Sequence, residues 1–203
     1  MLSFWDRLVY PHLLERVCST RSIIAERATW LARVRGAVLE VGVGSGLNLP
    51  GLLPDVVTHF VGLDPAPALL ARAAARPTRV PTTLVVGTAE ALPFAAARFD
   101  TVLFTYTLCS VAEPARALAE ARRVLRPAGQ LVFVEHGAAP AAGRLRWQRR
   151  LTPVWRAVAG NCHLDRDMPR LIEAAGFALV ELDARDPDAS LLSYAYSGVA
   201  VPG

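Results

Sequence analysis

The 203-residue sequence predicts a doubly wound α/β fold: a seven-stranded sheet, mostly parallel with an antiparallel edge strand, and helices on both faces. Three observations predict it. Short apolar runs alternate with amphipathic stretches, and strand–helix–strand repetition requires parallel strands joined by crossover helices. The runs are continuously apolar, as in strands covered on both faces. A glycine-rich loop follows the first of them, at the edge where such sheets bind ligands.

Residues 1–35 place apolar side chains at Leu8, Leu13, Leu14, Val17, Ile23, Ile24, Trp30, Leu31 and Val34. They read as one or two helices leading into the sheet, the first interrupted at Pro11. Five buried strands follow: Ala37–Val41, His59–Asp64, Thr82–Gly87, Asp100–Thr105 and Gln130–Glu135. Each is five or six residues long, a usual strand length. Between and after them, Pro67–Ala75, Pro114–Leu125 and Asp165–Ala175 have helical patterns, two of them opening on a proline, which suits a first helical position. Ala178–Leu182 and Tyr194–Val201 follow one another with no helix between, so an antiparallel closing pair is expected on one edge. The chain is expected to form one domain over 1–203: a helical segment (1–35), a cofactor-binding half (36–136) and a substrate-side half (137–203).

Composition excludes several chemistries. All 22 basic residues are arginine. Without lysine there is no Schiff-base nucleophile, no pyridoxal phosphate anchor and no phosphate-loop lysine. Mean hydropathy is +0.31, yet the longest uncharged stretches, Val41–Pro54 and Ala189–Gly203, carry Gly and Pro and fall short of the roughly 18 residues a spanning helix needs. Asp6 and Arg7 stand beside Phe4 and Trp5 where a secretion signal would have a basic start and an apolar run. Three widely spaced cysteines, Cys18, Cys109 and Cys162, suit a reducing, cytoplasmic setting rather than a disulfide framework. The net charge is +4, and only residues 1–35 and 144–156 concentrate arginine.

The segment Glu40-Val-Gly-Val-Gly-Ser-Gly46 lies between the first strand and a turn. Backbone can approach a ligand only where side chains are absent. Asp64 ends the second strand, 22 residues beyond Gly42, the location at which an acid accepts hydrogen bonds from a ribose diol. The expected ligand therefore contains adenosine. A dinucleotide fingerprint would need a glycine at position 47; Leu47 stands there. A loop of G-x-G-x-G form preceded by Glu40 suits S-adenosylmethionine, which has no pyrophosphate and carries cationic groups. Glu40 is also compatible with a structural role.

At this point the chain resembles the class I S-adenosylmethionine-dependent methyltransferases. The resemblance runs from residue 36 to about 135 through EVGVGSG, VGLDPAPALL, GTAEALPF, and FDTVLFTYTLCSV followed by RRVLRPAGQLVFVEH. It implies a Rossmann-like sheet and assigns Gly42, Gly44 and Gly46 to the methionyl part, Asp64 to the ribose, Pro65 to the adenosine, and Thr88, Ala89 and Glu90 to the adenine. Asn48 and Thr105 join the cofactor set. Many members have Asp where Thr88 stands. Beyond the fifth strand, Glu135-His136, Trp147-Gln148, Pro153-x-Trp155 and Gly160-Asn-Cys-His-Leu-Asp-Arg166, together with Leu108-Cys109-Ser110-Val111, resemble the methyltransferase-like seven branch, whose animal members methylate small alkyl thiols on membranes.

A thiol must lose its proton before it attacks, and His136 is the candidate base, at the carboxyl end of the fifth strand and with a pKa near working pH. Tyr106, Trp147 and Trp155 are the candidate substrate contacts. Positions 147, 151, 155 and 158 share a helical face, with arginines on the others; this suits a cover over the substrate or a helix on a membrane surface. Pro153 is expected to break that helix. No metal is expected, since the neighbours Cys162 and His163 do not form a ligand set. The expected partner is a small molecule, with peripheral membrane-surface contact as a further expectation. A phospholipid or quinone methyltransferase and a non-catalytic cofactor-binding protein are the alternatives. Nucleic acid is not expected, because Thr105-Tyr-Thr-Leu108 stands where an Asn/Asp-Pro-Pro-aromatic tetrapeptide would be.

Overall fold

A computed structural model describes residues 21–186 and 194–203. The expectations at Leu8, Pro11, Val17 and Cys18 fall outside the described residues, as does the stretch 187–193. Helix α1 (Arg21–Leu31) leads into β1 (Gly36–Val41), followed by β2 (Val57–Asp64), α2 (Pro67–Ala74), β3 (Thr82–Val86), β4 (Phe99–Thr105), α3 (Pro114–Val124), β5 (Leu125–His136), α4 (Ala142–Val158), α5 (Met168–Ala174), β6 (Phe177–Arg185) and β7 (Ala195–Pro202).

The strands form one seven-stranded sheet in the order β3-β2-β1-β4-β5-β7-β6. β1, β2, β3, β4 and β5 pair in parallel; β7 runs antiparallel to both its neighbours, β5 and β6. The expected antiparallel pair is present, but the antiparallel strand is not the edge. β7 is buried at Ala195, Ser197, Gly198, Val199 and Ala200 between its neighbours, whereas β6 alternates in exposure as an outermost strand does.

Successive side chains of a strand point to opposite faces, and the two faces collect different helices. One core packs Leu39, Val41, Val102, Phe104, Leu131 and Phe133 against α3 and α5 through Leu118, Ala121 and Ile172. The other packs Val38, Phe60, Leu103, Val132 and Val134 against α1 and α2 through Trp30, Leu31, Leu70 and Ala73. β1, β2, β4 and β5 are covered on both faces and carry the continuous apolar runs read from the sequence; β3, expected to be buried, is an outermost strand with no buried residue.

Three boundaries differ from expectation for local reasons. β5 starts at Leu125 rather than Gln130, because Phe99 pairs with Leu125 while Thr101 pairs with Gln130; Arg126–Gly129 loop out between them. α5 starts at Met168, where the Asp167 carboxylate accepts from the Arg170 N–H at 3.2 Å as an N-cap. α4 continues through Pro153. The proline ring and Arg149, whose carbonyl loses its helical partner there, both lie on the exposed face, where water can take that carbonyl. No helix among the described residues is long and apolar enough to cross a membrane.

Candidate active site

The strand order reverses between β1 and β4, and a cavity of about 430 Å³ opens at the carboxyl ends of the strands there, the general ligand position of such sheets. Gly42, Gly44, Asp64, Pro65, Thr88, Ala89, Glu90, Thr105, Tyr106, His136 and Trp155 all line it. Glu40, Gly46, Asn48 and Trp147 do not, and each has a physical reason.

The three loop glycines do different work. Gly42 has φ +75°, and a Cβ there would sit 2.3 Å from Thr107 Oγ1, so the loop lies directly on the β4 loop. Gly44 has φ +54° and nothing within 4 Å of an added Cβ, so its bare backbone faces the cavity. A Cβ on Gly46 would instead lie 3.0 Å from the Ala73 Cα of α2. The third glycine serves helix packing, which corrects its assignment to the ligand.

Asp64 is nearly buried. Its carboxylate accepts from the Gly44 N–H at 2.9 Å with one oxygen and from the Ala66 N–H at 2.8 Å with the other. Those bonds tie the glycine loop to the end of β2 and leave each oxygen a free lone pair for a diol. Burial raises its pKa above the usual carboxylate value, against the two backbone bonds.

Glu40 and Asn48 stand behind the cavity wall, a correction to their reading as direct contacts. Glu40 Oε1 accepts from Asn48 Nδ2 at 2.7 Å and from the Thr105 hydroxyl at 2.9 Å. Its Oε2 is buried without a hydrogen-bond partner among the described residues. Burial pushes the Glu40 pKa up to about 7, opposed by the Arg27 cation and the bonds from Thr105 and Asn48. Arg27, which sequence reasoning missed, donates to Asn48 Oδ1 at 3.0 Å and Thr105 Oγ1 at 3.1 Å and itself lines the cavity. Its guanidinium lies 5.2 Å from the Tyr106 ring centre, and the neighbouring Glu26 accepts from the Tyr106 hydroxyl at 2.9 Å. α1 therefore closes one side of the site, a role that an amphipathic pattern alone does not reveal.

Thr88, Ala89 and Glu90 form the wall after β3. The Glu90 carboxylate is engaged by the N–H groups of Ala112 and Glu113 at 3.2 and 3.4 Å, just before α3.

The far end of the cavity is built from sulfur and imidazole. Cys162 Sγ lies 3.5 Å from Cys109 Sγ and 3.5 Å from His136 Nδ1, with Cys109 Sγ 4.0 Å from the same nitrogen. The bond from Cys162 and burial push the Cys109 thiol up, while the same bond lowers Cys162 against its burial. Burial disfavours the charged form of His136, and Cys109, Glu135 and Glu26 outweigh it, so its pKa is raised. Cys162 thus pairs with Cys109 and His136, not with the adjacent His163, and the premise on which the sequence argued against a ligand set does not hold in the fold.

The fully buried Glu135 organises this end. Its carboxylate accepts from the backbone N–H groups of Thr107, Leu108 and Cys109 at 2.8, 2.9 and 2.9 Å. Gln148 of α4 bridges the segment after His136, donating to the Gly137 carbonyl at 3.1 Å and accepting from the Ala139 N–H at 2.8 Å. α4 is thereby held where Trp155 reaches the cavity. Trp147 is 51% exposed, with Arg150 5.4 Å over its ring. On an ideal helix eight residues leave two side chains about 80° apart in angle and about 12 Å apart along the axis, and Trp147 does not line the cavity it was expected to join.

Residues 39–133 match a family model described as a methyltransferase domain. The chain is 35% identical over 156 residues to the thiol S-methyltransferase TMT1B of Rattus norvegicus, covering 74% of this chain and 63% of that protein. It is 29% identical over 206 residues to the human TMT1B, covering 92% of this chain and 84% of that protein. Among solved structures, an S-adenosylmethionine-dependent methyltransferase from Mesorhizobium loti superposes with a TM-score of 0.70 at 18% identity, covering 90% of this chain and 98% of the other, a likeness of fold. With the glycine loop, Asp64 and the strand order in place, residues 39–133 form a methyltransferase domain of the class I kind, whose cofactor is S-adenosylmethionine, in a chain similar to the thiol S-methyltransferases.

Proposed function

We propose that this chain methylates a small, soft, hydrophobic nucleophile, a thiol before any other. The observation that carries the reading is one cavity with two unlike ends: Gly44 and Asp64 at one, and Cys109, His136 and Cys162 beside Trp155 at the other. The thiol S-methyltransferase relatives support it.

The residues at the first end fit S-adenosylmethionine. Gly44 leaves room where a side chain would stand, and Asp64 has lone pairs for a ribose. Thr88 and Ala89 form the wall for the base. Arg27 lines this end and supplies a cation for a carboxylate, held in place by Asn48 and Thr105, which Glu40 backs from behind the wall. When bound, the cofactor supplies an electrophilic methyl group on a sulfonium that is already a good leaving group.

The protein's work is then to hold an acceptor in line and keep water away. Tyr106 is fixed for this by the bond to Glu26 and a 4.8 Å ring contact with His136. Its φ of +55° is a strained conformation for a tyrosine and turns the chain sharply out of β4 into the cavity. Loss of the thiol proton belongs to the end of β5, where His136 stands.

Phospholipid methylation is the second reading, and one surface favours it. Trp147, Val154 and Val158 are exposed on α4 among Arg146, Arg149, Arg150 and Arg156, the pattern of a helix lying on anionic lipid. Product analysis separates the two. An alkyl thiol in lipid-free buffer is expected to yield its methyl thioether. Methylated headgroups from anionic vesicles, with no thioether, would replace the thiol reading by the lipid one.

A further inference from the structure

We propose that Cys109, His136 and Cys162 form a binding site for a soft divalent metal ion, Zn²⁺ foremost, with a fourth coordination position open to the cavity. The three donor atoms define a triangle with sides of 3.5, 3.5 and 4.0 Å. A tetrahedral zinc with Zn–S of about 2.3 Å and Zn–N of about 2.0–2.1 Å holds two thiolates about 3.8 Å apart, and thiolate and imidazole about 3.6 Å apart. Each side of the observed triangle lies within about half an ångström of that geometry. Two thiolates and one imidazole also match the ligand preference of zinc over magnesium or calcium.

The segments that carry the donors are pinned to one another. The His163 N–H donates to the Cys109 carbonyl at 2.8 Å, and Asn161 Nδ2 to the Ser110 carbonyl at 2.7 Å. Arg166 donates to the carbonyls of Leu108 and, at 2.8 Å, Val111. Glu135 holds the N–H of Cys109 from below. Gly160 and Asn161, at φ +60° and +64°, take the left-handed conformation that glycine and asparagine commonly adopt after a helix end, and turn the chain so that Cys162 meets Cys109. A disulfide would draw the sulfurs to about 2.05 Å and use two of the three donors, whereas all three converge.

Among the described residues the group has three members, and all three line the cavity. The protein thus supplies three ligands and leaves one place, the arrangement of catalytic rather than structural zinc. Binding the ion releases the two thiol protons to solvent, and the two thiolates balance its charge. In a part that rests on the thiol reading above, the open position takes the substrate sulfur. The thiol loses its proton to solvent, its lone pair forms the new S–CH₃ bond, and the electron pair of the broken bond stays on the leaving sulfur. With the ion bound, His136 acts as a ligand, and this replaces the role of base that the thiol reading alone gives it.

The test is metal uptake by the whole chain, freed of metal under reducing conditions and titrated with Co²⁺. One equivalent is expected, with visible bands of a tetrahedral ion and a sulfur-to-cobalt charge-transfer band, all displaced by Zn²⁺. Cys109→Ser and Cys162→Ser should each weaken uptake by at least about 100-fold, the upper scale of losing even an outer-shell partner, and diminish the charge-transfer band, and His136→Asn should alter the visible bands. Calorimetric binding of S-adenosylhomocysteine shows that each variant is folded. Uptake by the reduced chain no stronger than in the Cys109→Ser, Cys162→Ser double variant overturns the site. An alkyl thiol added without methyl donor should shift the visible bands; unchanged bands on a loaded protein overturn the open position. Neither readout uses methyl transfer, so failure of the thiol reading would show separately, as a metal-loaded chain that makes no thioether.

Discussion

Gly44 and Gly46 are two residues apart in one motif, and the fold gives them opposite tasks. Alanine at Gly44 would project into open cavity at φ +54°, with a strain of about 1 kcal/mol. Gly44→Ala is therefore expected to fold, with a small fall in melting temperature, and to bind S-adenosylhomocysteine at least about tenfold more weakly (1.4 kcal/mol). Gly46→Ala should do the reverse. Its Cβ meets Leu49 and the Ala73 backbone at 2.8 and 3.0 Å, an overpacking worth about 1–3 kcal/mol that thermal denaturation would register first. Paired melting and calorimetry on the two variants check both.

Glu40 makes a prediction about pH. Its folded pKa of about 7 lies above the ordinary 4.5, so between those values the folded state binds more protons than the unfolded one, and stability falls as pH rises. At 1.36 kcal/mol per pH unit the loss amounts to about 3 kcal/mol. Glu40→Gln keeps the acceptor for Asn48 and Thr105 and cannot ionise. Urea unfolding from pH 4.5 to 8 should show a decline in the natural chain that is flattened in the variant; parallel curves would show that Glu40 is not the group responsible.

At the scale of elements, the placement of α4 decides which of its residues line the cavity. Gln148 anchors its first half to the segment after β5, and the helical twist then carries Trp155 to the cavity and Trp147 to the surface. Trp155→Ala should raise KM for the acceptor about tenfold, the scale of losing an apolar contact of 1–2 kcal/mol. Trp147→Ala should change KM for a soluble thiol less than about twofold. Steady-state kinetics on the two variants test this, and equal effects would contradict the placement of α4. A four-residue spacing places such residues near one face, and the drift over eight residues is what separates the tryptophans.

Across the whole molecule, what could be read from the chain was whatever is local. The runs Val38–Val41 and Leu131–Val134 announce strands covered on both faces, and Asp64 announces itself by its distance from Gly42. The cysteine–histidine cluster is different in kind. Cys109, His136 and Cys162 come from the β4–α3 loop, the end of β5 and the turn after α4, and they meet only because Glu135 and Arg166 fix those segments and Gly160-Asn161 reverses the chain. Arg27 belongs to the same class: its role depends on α1 crossing the sheet beside Thr105. The arginines that replace every lysine serve the reading in a few places, as the cation beside Glu40, the clamp at Arg166 and the basic face of α4.

The proposed methyl transfer to sulfur can be tested by following the transferred methyl group directly. With S-adenosylmethionine carrying a deuterated methyl group and a small alkyl thiol, in lipid-free buffer, mass spectrometry should find the label on the thiol sulfur in step with S-adenosylhomocysteine. S-adenosylhomocysteine binding with no labelled thioether from any thiol offered would contradict the account.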